Sequence, residues 1–118
     1  MRRKGAYVPE QGDAVWITLG PQAGHEQAGR RPALVLSPAT YNGRVGLALL
    51  SPITSQAKGY PFEVALPEGL GVTGVVLADQ VKSLDWRERK AARIGDVPEE
   101  VVMRVIKRLN ALLAGDGS

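Results

Sequence analysis

Glu26 and Arg31 stand in the stretch Gly24-His25-Glu26-Gln27-Ala28-Gly29-Arg30-Arg31-Pro32. A carboxylate can serve as a general base, and a guanidinium can clamp a phosphate through two parallel N–H donors. The pair suits cleavage of RNA without a metal, because RNA carries its own nucleophile in the 2′-OH. That reaction needs a base for the 2′-OH proton, positive charge on the pentavalent phosphate and a donor for the departing 5′ oxygen. Arginine stays charged, so charge stabilisation is the first role of Arg31 and proton donation the second. A second polar stretch, Thr54-Ser55-Gln56-Ala57-Lys58-Gly59-Tyr60, supplies hydroxyls and a cation that can hold a phosphate. A third, Asp79-Gln80-Val81-Lys82-Ser83, offers groups that can hydrogen-bond base edges and backbone of single-stranded RNA. Each stretch also has a plain structural reading as a solvated loop, an ordinary turn or a hairpin corner.

The elements around these stretches must hold them in place. Ala14–Leu19 reads as a strand, and the Gly-rich segment 20–31 that follows as a long loop. Pro32 leads into a buried strand at Ala33–Ser37, and Arg31 is therefore anchored at its start. Residues 38–44 read as a connection with a turn at Asn42-Gly43, and Val45–Ser51 as another buried strand. Phe62–Leu66 and Val72–Ala78 read as strands about a turn at 67–71. The sheet continues through a bend over 79–86, with one last short pairing near Ile94 and Val97. From Pro98 the period changes. Glu99 and Glu100 suit a helix N-terminus, Val102, Ile106, Leu109 and Leu113 share one helical face, and Gly115 supplies the stop. Trp16 and Trp86 could stack on bases, but isolated aromatics in strands are more often core. Arg87-Glu88-Arg89-Lys90 reads as a solvated face.

The expected fold is mainly β with a C-terminal helix, a small, strongly bent antiparallel barrel in one domain. It comprises a polar arm at 1–12, the barrel at 13–97, the helix at 98–114 and a frayed tail at 115–118. The 118 residues suit one core and exclude a separate cofactor-binding domain or a (β/α)8 barrel. The 14 glycines and 8 prolines favour short strands and many turns. Cysteine is absent and His25 is the only histidine, so thiol chemistry, zinc ribbons and His-rich metal sites are excluded. No metal or other cofactor is expected. No G-x-G-x-x-G or Walker A sequence occurs. The basic N-terminus is followed by no apolar stretch, and no run reaches the length of a membrane span, so a cytoplasmic protein without a membrane partner is expected. A net charge of +3 permits a nucleic-acid partner without requiring one.

The chain resembles the MazF/PemK family of toxin endoribonucleases. The resemblance is carried by Gly12-Asp13, by the stretch 24–32, by Val35-Leu36-Ser37-Pro38, by Lys58-Gly59-Tyr60-Pro61-Phe62-Glu63-Val64 and by Leu77-Ala78-Asp79-Gln80-Val81-Lys82-Ser83. It implies an SH3-like toxin barrel, a homodimer, metal-independent cleavage of single-stranded mRNA and inhibition by a cognate MazE-like antitoxin. The implied products are a 2′,3′-cyclic phosphate (or 3′-phosphate) and a 5′-OH, and the implied recognition core is ACA-like. Glu26, Arg31 and Thr54 match the catalytic positions of MazF-type members. Lys58, Gln80 and Lys82 match RNA-facing positions, and Trp16, Gln27 and Ser55 join them as RNA-binding residues. His25 and Asp79 match the histidine and aspartate of PemK-type members, where an arginine precedes that aspartate by two. Leu77 stands there instead, so His25 and Asp79 are assigned supporting or binding roles. The rival reading is a CcdB-like toxin that binds gyrase without catalysis. Such toxins use an apolar-aromatic helix end, and this chain ends without an aromatic.

Overall fold

The computed structural model describes residues 7–21, 24–25 and 27–115. β1 (Asp13–Thr18), β2 (Arg30–Val35), β3 (Leu47–Thr54), β4 (Glu63–Ala65), β5 (Val75–Leu77), β6 (Lys82–Asp85) and β7 (Ala92–Asp96) form one antiparallel system. The order is β4-β5-β3-β2-β1-β7, with β6 also on β3. The path bends strongly but stays open, since its end strands β4 and β7 do not pair. β3 carries the bend. Its first half pairs β6 (Leu47 with Asp85, Leu50 with Lys82), and its second half pairs β5 (Ile53 with Val76, Thr54 with Val75).

Strict alternation along the strands gives the sheet two apolar faces. On one face Ala14, Leu34, Ile53, Val64 and Val76 pack under α2 (Glu99–Leu113), which buries Val101, Val102 and Val105. On the other, Val15, Ile17, Ala33, Val35, Leu50 and Leu84 surround Trp86. Trp86 is thus core, and Arg87 stacks its guanidinium over the ring. Ile106 and Leu109 complete the helix's inner stripe, whereas Leu113, expected on it, is 74% exposed. Gly115 takes a positive φ just past the helix, as a stop glycine does.

Two expectations change. The expected connection 38–44 is largely a helix, α1 (Ala39–Val45), which also takes Val45 from the expected strand Val45–Ser51. It has no apolar stripe to announce it, because a buried polar side chain docks it instead. The Asn42 amide donates to the Pro9 and Ser37 carbonyls, and its oxygen accepts from the Ser37 hydroxyl. Trp86 Nε1 donates to the Asn42 carbonyl. Asn42 is fully buried with every group engaged, so the network is stabilising and not a burden. The polar arm, from Tyr7 onward, is also part of the body. Tyr7 and Val8 pack against the Trp86 cluster. The Tyr7 hydroxyl and the Glu10 N–H donate to Asp13, which is buried at the start of β1 and ion-paired with Arg93 at 3.5 Å. The remainder of the arm and the last three residues of the tail lie outside the described residues.

The run 87–90 is a turn tied down by arginines, not a free charged face. Arg30 donates to the Arg89 and Lys90 carbonyls, and Arg89 donates to the Thr18 carbonyl.

Candidate active site

The long loop after β1 is pinched at its neck. The Leu19 N–H donates to the Gly29 carbonyl, and the Gly29 N–H to the Gly20 carbonyl, both at 2.8 Å. Gly20 and Gly29 both have positive φ, a conformation that glycine adopts without the strain of a Cβ. β2 therefore begins at a fixed point, and Arg31 sits on a strand and not on a free loop. Ala33 pairs with Pro52. Arg31 lies two residues before this paired stretch on β2, and Thr54 lies two residues after it on β3. Both line an open cavity of about 680 Å3.

His25, Gln27, Ser55, Lys58 and Gln80 share that cavity, together with Gln56, Tyr60 and Glu63. Seven residues that the sequence assigns to RNA binding or catalysis line this wall, namely Arg31, Thr54, His25, Gln27, Ser55, Lys58 and Gln80, and Asp79 is linked to it through Tyr60. Lys82 begins β6 just beyond and is not on the wall. Trp16 is 44% exposed but stands elsewhere, on β1 between Pro32 and Ala92. Glu26 lies outside the described residues; its chain neighbours His25 and Gln27 both line the cavity.

Arg31 Nε donates to the Ala28 carbonyl at 3.0 Å. Neither terminal nitrogen hydrogen-bonds a described residue, so the fork is oriented by the protein and open to an anion. Thr54 is buried, and its hydroxyl accepts from the Gln56 N–H at 3.2 Å. That bond leaves the hydroxyl hydrogen for an incoming acceptor. The turn after Thr54 is shaped by Glu63, whose two carboxylate oxygens accept from the Lys58 N–H at 2.9 Å and the Gly59 N–H at 3.0 Å. The Tyr60 hydroxyl donates to Asp79 Oδ2 at 2.8 Å. That bond, and then the Asp79 charge, raise the Tyr60 pKa above the usual phenol value and keep the hydroxyl a donor. Asp79 Oδ1 is buried and accepts no hydrogen bond from a described residue.

The cavity wall thus carries Arg31 and Lys58 against one described carboxylate, Glu63, whose oxygens are occupied by backbone N–H groups. It is built for an anion that accepts hydrogen bonds. Among the described residues no group of three His, Cys, Asp or Glu side chains is placed to hold a metal ion. No helix among them is long and apolar enough to cross a membrane.

Tyr60, Glu63 and Gly74 had no role in the sequence reading. Tyr60 and Glu63 lie in the motif 58–64, which was a usable signal. Gly74 had none. A Cβ there would stand 2.0 Å from the Thr54 carbonyl oxygen, so only glycine lets the start of β5 lie against Thr54.

A profile of the family described as PemK-like, MazF-like toxin of type II toxin–antitoxin system matches residues 10–113. The chain belongs to this family. It is 50% identical over 107 residues to the endoribonuclease toxin MazF of Escherichia coli K12, covering 91% of this chain and 96% of that one. It is 38% identical over 109 residues to the endoribonuclease PemK of Escherichia coli, covering 88% and 81%. The crystal structure of MazF (Form-I) from Deinococcus radiodurans superposes with a TM-score of 0.88 at 59% identity, over 92% of this chain and 98% of that one. A MazE–MazF complex from the same organism gives a TM-score of 0.83 at 59% identity, over 92% and 97%. The PemK/MazF-like fold therefore matches the expected class, mainly antiparallel sheet with a C-terminal helix.

Proposed function

We propose that the protein is a sequence-specific endoribonuclease toxin that cleaves single-stranded mRNA without a metal. The observation that supports this reading is the presence of Arg31 and Thr54 in one anion-suited cavity, with the terminal guanidinium nitrogens bonded to no described residue. Glu26 takes the proton of the 2′-OH. The 2′ oxygen attacks phosphorus, and the bond from phosphorus to the 5′ oxygen breaks. Arg31 stabilises the charge of the phosphorane, Thr54 and Ser55 offer hydroxyls to its oxygens, and Lys58 holds the neighbouring backbone. The 5′ oxygen leaves with a proton from Arg31 or from solvent. The products are a 2′,3′-cyclic phosphate, which can open to a 3′-phosphate, and a 5′-OH.

The names and complexes of the relatives support this reading. The E. coli and D. radiodurans proteins are called MazF, and MazE–MazF complexes have been crystallised. We extend the partner class to this chain: a MazE-like antitoxin whose acidic segment covers the cationic cavity, and a second copy that completes the groove. Family membership favours this reading over gyrase binding of the CcdB kind. The localisation fitting an mRNA substrate is cytoplasmic.

The test is incubation of single-stranded RNA with antitoxin-free protein in excess EDTA. Cleavage with 5′-OH ends is expected, and sequencing those ends reads the recognition site against the ACA-like expectation. Glu26→Ala should lower the rate by at least about 10²-fold while leaving RNA binding in place. Intact RNA from folded wild-type protein would overturn the metal-free mechanism.

A further inference from the structure

Asp79 and Gln80 are neighbours on the 3-10 turn Ala78–Gln80, yet they hold different loops. Asp79 accepts from Tyr60 of the loop after β3. The Gln80 side chain reaches the loop after β1 and makes two bonds there: its Oε1 accepts from the Gln27 N–H at 3.2 Å, and its Nε2 donates to the His25 carbonyl at 3.3 Å. These bonds fall on either side of position 26. The turn that carries both side chains belongs to the body. Ala78 is buried, its N–H donates to the Phe62 carbonyl at 3.0 Å, and the turn packs against α2 and β3.

The chemistry at Gln80 is selective. One end of the bridge must accept from an N–H and the other must donate to a carbonyl, and a primary amide supplies both. A carboxylate would set a negative oxygen against the His25 carbonyl. A thioether of the same length would supply neither bond.

We infer that the Asp79–Gln80 turn is a brace that fixes the gap between the two loops, and that Gln80 is a positioning residue for Glu26. The inference rests on the proposed role of Glu26 as base and assigns Gln80 a task within the protein in place of direct reading of RNA. The base must meet a 2′-OH whose phosphate, in the proposed reading, is held by Arg31 and Thr54. Those two lie on strands, whereas His25 and Gln27 lie on a loop, and the Gln80 bridge ties that loop to the same body.

Gln80→Met, Gln80→Glu, Tyr60→Phe and Glu26→Gln should be compared with wild type by steady-state cleavage of a defined oligonucleotide. Site preference is read on a random-sequence RNA pool. Both Gln80 variants should lose kcat by about 10- to 100-fold, the scale set by misplacing a reacting group by around an ångström. KM should stay within about threefold and site preference should not change, because no RNA contact is removed. Amide exchange over residues 24–28 should quicken in Gln80→Met with the thermal midpoint preserved. A raised KM at constant kcat, or an altered base preference, would overturn the inference and return Gln80 to RNA reading. Wild-type kinetics would overturn it as well. If Gln80→Met does not fold, Tyr60→Phe tests the other arm, with a kcat loss expected and unchanged kcat refuting the brace. Glu26→Gln separates the two levels. If it cleaves at the wild-type rate, the base assignment fails; if it is inactive while the Gln80 variants are normal, only the brace fails.

Discussion

Gly74→Ala tests how tightly the fold sets Thr54, the residue proposed to hold the phosphate. Gly74 has φ +117, and an added Cβ would lie 2.0 Å from the Thr54 carbonyl oxygen, 2.7 Å from its carbonyl carbon and 2.9 Å from Ser55 Cα. All three are backbone atoms, so no rotamer change relieves the clash. The Thr54 backbone must retreat by about 1 Å, a displacement that can cost on the order of 10²-fold in rate at a reacting centre. The strained backbone adds roughly 1–3 kcal/mol of destabilisation. Gly71→Ala is the control. It also has positive φ, +80, but its Cβ would meet only the Ile94 side chain at 3.4 Å, away from the cavity. Cleavage of a fluorogenic oligonucleotide should be measured well below the thermal midpoint of each variant, with circular dichroism to verify folding. Gly74→Ala should lose about 10²-fold in kcat/KM, and Gly71→Ala should lose stability alone. If both variants keep wild-type kcat/KM, Thr54 placement does not limit the reaction and the reasoning fails.

Arg31→Lys keeps the charge but removes the fork, and should reduce kcat at least about tenfold with folding intact; kinetics equal to wild type would show that a point charge suffices. Glu63→Ala frees the Lys58 and Gly59 N–H groups and should raise KM for RNA about 5- to 10-fold, measured by titrating the oligonucleotide under steady-state conditions. Tyr7→Phe concerns stability. Burial first, and then the hydrogen bond to Asp13, push the Tyr7 pKa far above its ordinary 10.0. The folded state therefore favours the neutral phenol. Its contribution is complete below about pH 10 and is lost as pH rises above that value. Urea unfolding from pH 8 to 11 should show a decline in wild type that is shallower in Tyr7→Phe, and identical slopes would refute the coupling.

Much of the fold was legible because its signals were local. Alternating apolar residues announced the strands, and the change of period at Pro98 announced α2. The cavity residues were legible because they sit in polar, glycine-bracketed stretches between those strands. What escaped depends on partners far apart in sequence. α1 rests on Asn42 bonding Pro9 and Ser37 and receiving Trp86, and an Asn-Gly pair in isolation reads as a turn. The role of Gly74 depends on how β5 approaches Thr54, twenty residues earlier, and a lone glycine carries no mark of that. Trp16 on β1 and Trp86 in the turn just after β6 are the same residue type, and only the folded packing separates the exposed one from the core.

The division between strand and loop also bears on how so short a chain could combine the proposed phosphate site with adaptable recognition. Arg31 and Thr54 lie on β2 and β3, just outside the paired stretch Ala33–Val35 with Leu50–Pro52, where a one-residue slip would turn Ala33, Val35 and Leu50 out of the core. Their separation is therefore protected by the stability of the whole sheet. His25, Gln27, Ser55 and Lys58 lie on loops, held by a few side-chain bonds from Gln80, Glu63 and Asp79 through Tyr60. Each of those bonds is worth only about 1 kcal/mol, so RNA or an acidic partner segment can rearrange a loop without disturbing the core. Substitutions at the loop anchors should consequently change RNA handling with little change in thermal stability, whereas substitutions that shift the register should abolish folding before they alter which RNA is cut.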